Sequence, residues 1–430
     1  MPIIETITIF LTRKNFLKTG CFLSPKRRKK NADFSLSFPF ARRKAYAYNS
    51  IMKRNRLLLG GLSLLLTSSL LSCGGDDPNL VDVTFGTLFD SSLASGANDL
   101  YLHTENISYR DLASKIKYQE SFVLLVYEYK TLEVGESIDC TCWIGFSLAL
   151  TAYMKENNAR IYGIDPNDFS HGADDYSLKL YTGEATLAIF GDGVLKYQTT
   201  NGNDALNSLE KVKRYFSGKL TWCENLLYLS KKQLDGMFEK KGLFLVDYTR
   251  KGCPDCSYIN RHFLKERGRD YQGKTVYLLE CDKEGIRYEN GVVNQEKWSL
   301  FKDEYGLSSI YNKDWGYGAG YVPTFIAYQP KGNETHKGEA AIDMAVYLND
   351  TLTMENGICK VASTYWDGGR KNPFLASLDA SIESNLLGLE IPEGEYTTAT
   401  YDSKTYTFWN HEAAAKYHDP ILKGFLDYYA

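Results

Sequence analysis

The sequence predicts an α/β protein built from two tandem copies of one small unit, each a central mixed sheet flanked by helices. Three observations carry this. A helix, strand, helix, strand, hairpin and helix pattern runs from Ser108 to Phe216, and its opening parts begin again at Ser230. Two short, mainly apolar runs, FVLLVYEY (Phe122–Tyr129) and LFLVDY (Leu243–Tyr248), each with one embedded acid, suit strands covered on both faces. Each run is followed by a closely spaced cysteine pair, at the point where the next helix starts. Alternating helices and buried strands of this kind specify a layered α/β sheet.

In the first copy, YRDLASKIKYQ reads as a short amphipathic helix before the strand at 122–129. WIGFSLALTAYMKEN is the helix after Cys140 and Cys142, and ARIYGID the next strand. TLAIFGDGVLKYQ is a hairpin turning at Gly191-Asp192-Gly193. In the closing helix Leu206, Leu209, Val212 and Phe216 fall at helical spacing. In the second copy, Ser230 caps a helix with Leu234, Met237 and Phe238 on one face and Gly242 as its stop. After the strand at 243–248 come a helix through SYINRHFLKER and a buried strand in TVYLLECD (Thr275–Asp282). A further strand begins at Pro323-Thr324. Residues 284–320 look like an inserted loop and helix, and 346–410, rich in turns, Thr and Tyr, like a second insertion. The final HEAAAKYHDPILKGFLDYYA is the candidate last helix of this unit.

The chemistry concentrates at Cys253-Pro254-Asp255-Cys256. Two cysteines at this spacing suit half a zinc site, a structural disulfide or a redox dithiol. Zinc needs four ligands, and the only other close pair, Cys140/Cys142, lies over a hundred residues away, so no metal is expected. A helix N-terminus stabilises a thiolate through its unpaired N–H groups and dipole, which makes Cys253 the candidate nucleophile. Cys256, one turn on, can resolve the mixed disulfide, and Pro254 suits a first helical turn because its missing N–H costs nothing there. Asp247 lies in the apolar strand six residues before Cys253, and Val322-Pro323-Thr324 follows far downstream.

These parts together resemble the thioredoxin fold, over about residues 105–218 and 228–345. The resemblance implies that Asp247 is buried beneath the dithiol and moves protons to and from Cys256. It further implies that Pro323 is the cis-proline of the loop that pairs with substrate backbone. Gly252 stands where the family often has Trp, and Asp255 sets a negative charge beside the reactive sulfur, which leans toward a reductant or isomerase. In the first copy Glu128 is the expected counterpart of Asp247, but Ala185 stands at the cis-proline position and the cysteines form CxC. Cys140 and Cys142 are therefore either a second redox pair or a structural or vestigial one. Cys281 reads as a core residue, and a Cys223–Cys359 bridge is possible. His103, His171 and His262 form no ligand-spaced cluster.

The N-terminal 72 residues carry 14 Lys and Arg against 2 Asp and Glu; the rest of the chain carries 36 against 51. That acidic remainder argues against nucleic acid as a partner. From Met52, a basic start (Lys53, Arg54, Arg56), an apolar run (Leu57–Leu71) and Leu-Leu-Ser-Cys73 resemble a bacterial lipoprotein signal, with Cys73 as the lipidated residue. Residues 1–51 read as an extension upstream of the true start, 52–72 as the signal peptide and 73–104 as a tether. A degenerate thioredoxin-like domain is expected at 105–220 and the CPDC domain, with its insertions, at 228–430. The expected protein is an extracytoplasmic, lipid-anchored thiol–disulfide oxidoreductase of the bacterial cell envelope. It would act on thiols and disulfides of exported proteins, be recycled by a redox partner and need no dissociable cofactor. The alternative is a redox-inactive surface-binding lipoprotein that uses the folds as scaffold.

Overall fold

The computed structural model describes residues 79–89, 104–129, 141–169, 180–181, 183–271, 273–283, 285–307, 322–346, 352–361, 388–401, 403–417 and 419–430. Residues 1–72 lie outside these, as do Cys73, Cys140 and the side chain of Cys142.

The segment expected as a tether contributes two short strands, β1 (Val81–Val83) and β2 (Gly86–Thr87). The sequence alternation VDV explains the first: Val81 and Val83 are buried while Asp82 faces out.

In the first domain, β3 (Glu105–Asn106), β4 (Phe122–Val126), β5 (Ile161–Ile164), β6 (Thr186–Gly191) and β7 (Val194–Thr200) form one sheet in the order β3-β5-β4-β6-β7. β3, β5 and β4 run parallel, whereas β6 and β7 are antiparallel to their neighbours. Helix Tyr109–Lys117 starts at a capping box, Ser108 Oγ accepting from Asp111 N–H and the Asp111 carboxylate accepting from Ser108 N–H. Helix Thr141–Asn157 buries Phe146, Leu150, Tyr153 and Met154 against one face of the sheet. Helix Leu209–Phe216 buries Val212 and Phe216 on the same side.

β8 (Leu220–Trp222) pairs with β1, and the second domain follows. Its strands β9 (Leu226–Leu229), β10 (Phe244–Thr249) and β11 (Val276–Glu280) are parallel, in the spatial order β9-β11-β10. After the small hairpin of β12 (Tyr288–Glu289) and β13 (Val292–Val293), β14 (Thr324–Tyr328) and β15 (Ala341–Val346) add antiparallel strands beside β10. β2 extends the far edge beside β9, giving six strands. This is the arrangement of the first sheet repeated: two tandem thioredoxin-like domains, the second carrying the insertions.

The segment expected as a second insertion holds two hairpins, β16 (Leu352–Glu355) with β17 (Ile358–Val361) and β18 (Tyr396–Tyr401) with β19 (Lys404–Trp409). Helices His411–Tyr417 and Asp419–Tyr428 then return to the second sheet, where Phe425, Leu426 and Tyr429 join a core with Leu245, Phe325 and Ala345. Tyr429 donates to the Asp343 carboxylate on β15 at 2.9 Å. No described helix is long and apolar enough to cross a membrane.

Candidate active site

β10 ends at Thr249, and the chain turns through Gly252, whose φ of 78° lies in the left-handed region that glycine adopts without strain. Cys253 caps the next helix, Pro254–Tyr258, with extended backbone, and Pro254 opens the first turn. Its Sγ accepts the Cys256 backbone N–H at 3.4 Å. The helical run continues through a π-type segment, Ile259–Leu264, into Lys265–Asp270. Cys253 is half-buried and Cys256 fully buried; both are thiols.

The two sulfurs are electrostatically unlike. A hydrogen bond from the Cys256 thiol, helped by the backbone N–H groups of the first turn, holds the Cys253 thiol below its usual range, against burial and the Asp255 carboxylate. Burial pushes Cys256 well up, with further contributions from Cys253 and Asp247. The inequality suits an attacking thiolate and a resolving thiol that must be deprotonated when its turn comes. Asp255 is itself raised to about 6 by burial.

Asp247 sits in mid-strand on β10, opposite Leu278 on one side and Phe325 on the other. It is wholly buried, and neither carboxylate oxygen has a hydrogen-bond partner among the described residues. Burial, then Glu280, then Cys253 drive its carboxyl well above the ordinary range. The Val322–Pro323 peptide bond is cis, and the Val322 carbonyl accepts from the Cys253 thiol at 3.5 Å. Cys253, Cys256, Asp247 and Pro323 thus meet at one end of the second sheet.

The first domain differs at each matching position. Ala185 takes the place of Pro323, because Thr186 pairs with Val126 as Thr324 pairs with Tyr248. The same register sets Leu125, not Glu128, opposite Asp247's position: Leu125 faces Leu187, two residues past Ala185, as Asp247 faces Phe325, two past Pro323. Glu128 lies beyond the end of β4, exposed, and accepts from Tyr181 Oη at 2.7 Å. The expected acid of the first copy is therefore absent, because β4 ends at Val126 and Glu128 falls two residues beyond it. The Cys140/Cys142 pair lies outside the described side chains, as does Cys73.

Cys223 and Cys359 are separate free thiols, so the candidate bridge between them does not form. Cys223 is satisfied as a donor to the Gly268 carbonyl and Cys359 is core. Cys281 is completely buried. No group of His, Cys, Asp and Glu among the described residues is arranged to hold a metal.

Two features escaped the sequence. One is a cleft of about 220 Å³ between the domains, beside Lys251 and Gly252, with Arg160, Glu105 and Lys115 on its first-domain wall and Glu280 on the other. The other is a contact of Tyr258 with both C-terminal helices: it donates to Asp419 at 2.8 Å and packs against His262 and His411, its ring 5.2 and 5.0 Å from theirs. Both join residues over a hundred positions apart, which local patterning does not record. Glu280 alone left a trace, as an acid inside an apolar strand.

No protein-family model matches the chain, and no curated protein matches it in sequence. Among solved structures, the zinc-bound form of human ERp44 is similar at 11% identity and a TM-score of 0.18, over 42% of this chain and 44% of that one. Full-length ERdj5 gives 9% and 0.20, over 58% and 30%; the first two thioredoxin domains of Saccharomyces cerevisiae Eps1p give 10% and 0.18, over 54% and 89%. The chain thus spans less than two thirds of the ERp44 and ERdj5 structures. At these scores the class of the protein, a mixed α/β chain with two thioredoxin-like sheets, rests on its own strand order.

Proposed function

We propose that the protein is a thiol–disulfide oxidoreductase working through the Cys253–Cys256 dithiol. The observation that carries this reading is the pairing of a lowered Cys253 thiol at a helix start with a buried, unpartnered Asp247. A carboxyl in that setting is an expensive feature to keep for structure alone, and it suits proton exchange with the raised Cys256 thiol. Cys253 thiolate attacks a disulfide sulfur of a partner protein, forming a mixed disulfide and releasing one thiolate. Cys256 gives its proton to Asp247 and attacks the Cys253 sulfur; the internal disulfide forms and the second partner thiolate leaves and is protonated. Two electrons pass from the dithiol to the partner. The chain before Pro323 offers its carbonyl beside Cys253, in position to pair with the partner's backbone.

The setting we propose is the bacterial envelope, with the chain anchored through a lipidated Cys73 and acting on exported proteins; its support is the signal-like sequence from Met52. Turbidimetric insulin reduction tests the activity: the wild-type protein accelerates precipitation and Cys253→Ser does not. Equal rates for the two would instead support the scaffold reading. Cys73→Ser should abolish incorporation of labelled palmitate in the native host.

A further inference from the structure

Asp247 poses a problem of access. To take a proton from Cys256 it must first have shed its own, yet it is fully buried and lines neither of the clefts beside the site. Strand pairing shows what lies between it and water. β10 and β11 are parallel, with Asp247 opposite Leu278 and Thr249 opposite Glu280. Side chains two apart share a face of a strand, so Asp247, Thr249 and Glu280 all lie on one face. That face is the one covered by the active-site helix, since Leu245 and Leu278 on it pack with Tyr258 and Ile259. Glu280 is thus the diagonal neighbour of Asp247, one step nearer the end of the strand.

Unlike Asp247, Glu280 reaches open space: it lines the interdomain cleft and a second cavity beside it. Its Oε1 accepts the backbone N–H groups of Lys251 and Asp282, at 2.9 and 3.1 Å, which fixes the carboxyl at the root of the CPDC loop. On the same face the buried Thr249 hydroxyl, opposite Glu280 and two residues along from Asp247, is held by Asn260 Nδ2 at 3.1 Å; Asn260 Oδ1 is a buried acceptor without a partner. Asp247, Thr249 and Glu280 are thus neighbouring polar groups on one face of these two strands, and Glu280 and Asn260 line the cleft.

We propose that Glu280 is the proton outlet of Asp247, passing protons between the buried carboxyl and water in the interdomain cleft. This rests on the redox reading above. Glu280 touches neither sulfur and acts through Asp247: Asp247–COOH gives its proton to the Glu280 carboxylate, which releases it to cleft water, leaving Asp247 ready to deprotonate Cys256. Burial raises both carboxyls, with Glu280 adding to the rise at Asp247 and Asp282 to the rise at Glu280, while the Asp282 and Lys251 N–H groups hold Glu280 back. The charged and titratable groups around Glu280 are Asp247 on β10, Tyr228 on β9, Arg250 and Lys251 in the loop, Cys281, Asp282 and Lys283 beyond β11, and Arg160 and Glu105 across the cleft.

Stopped-flow reaction of the reduced full chain with dithiobis(nitrobenzoate) separates the steps, since attack by Cys253 releases one coloured thiolate and resolution by Cys256 a second. Glu280→Gln should leave the first release within twofold of wild type and slow the second about tenfold. Glu280→Asp should restore most of the second rate, and imidazole, a small diffusible base, should rescue Glu280→Gln without affecting wild type. A merely electrostatic role gives the opposite sign, because removing the neighbouring charge makes Asp247 a readier base. An unslowed second release, or slowing that imidazole does not rescue, overturns the relay. If wild-type and Cys253→Ser proteins release thiolate identically, the redox reading itself fails. Should Glu280→Gln not fold, infrared difference spectra of oxidised minus reduced wild type decide: the relay requires a glutamate carboxyl band to change together with the aspartate band, and an unchanged glutamate overturns it.

Discussion

Two aspartates bear on the cysteine pair, Asp255 raising the Cys253 thiol and Asp247 the Cys256 thiol. Asp247 is charged at a cost, because its folded pKa is raised above the unfolded value. Its contribution to stability is therefore full below about pH 4 and is lost as pH rises through the folded pKa. Asp247→Asn, which buries a neutral amide in place of an ionisable group, should stabilise the protein by about 1–3 kcal/mol at pH 8 and by much less at pH 4.5. Urea unfolding at the two pH values checks this, and a gain that does not grow with pH would contradict it. The same substitution should slow the second thiolate release. Asp255 acts on the other sulfur: its carboxylate opposes the Cys253 thiolate and itself titrates at about 6. Asp255→Asn should move the midpoint of Cys253 alkylation by iodoacetamide to lower pH and make the dithiol more oxidising, measured against glutathione. Below pH 6 the two proteins should converge, as the wild-type carboxyl is neutralised.

At the scale of elements, the helix that carries the cysteines is tied to the end of the chain. Tyr258 donates to Asp419, whose second oxygen is buried without a partner, and burial raises Asp419 to about 6. Stability from this group is present below the unfolded pKa and falls as pH rises through about 6, with the Tyr258 hydrogen bond limiting the fall. Tyr258→Phe should therefore cost little at pH 4.5 and about 1–3 kcal/mol at pH 8, read from thermal or urea unfolding. Elements were the most legible level of the sequence. The apolar run at 243–248 with its embedded acid, the Ser230 cap, and the Gly191-Asp192-Gly193 turn all write local geometry into adjacent residues. Asp247 was legible because a carboxylate inside such a run has no surface to reach. Glu128 misled for the same reason in reverse: the strand ended two residues earlier, a boundary that tertiary pairing sets and local sequence does not.

For the molecule as a whole, what propensity and spacing left invisible is how the domains meet. Arg160 on the first domain pairs with Glu105 and lays its guanidinium over the Tyr228 ring of the second, 3.7 Å from its centre. Burial opposes ionisation of Glu105, but Arg160, with Lys283 and Lys115, outweighs it and holds that carboxyl down at about 2. Arg160→Ala leaves this charge short of its main partner and should cost about 3 kcal/mol, with the two domains unfolding at separate midpoints in calorimetry. The Lys251–Asp111 contact beside the Cys253–Cys256 pair is different: the lysine is 67% exposed, and its removal should change stability by less than about 1 kcal/mol.

The strands β1 and β2 carry a consequence for how the chain acquires its shape. Asp82 and Thr221, 139 residues apart, are hydrogen-bonded partners on neighbouring strands, and only three residues after β1 the chain enters the sheet of the other domain. The entire first domain is thus enclosed in a loop whose two ends are knitted together. During synthesis β1 emerges early and must wait unpaired until β8 has left the ribosome, and β2 must wait for β9. Contacts of such separation form late and slowly. The first domain therefore closes its β1–β8 seam only after all of its own strands have been made, and β2 ties it to the second sheet only once β9 has followed.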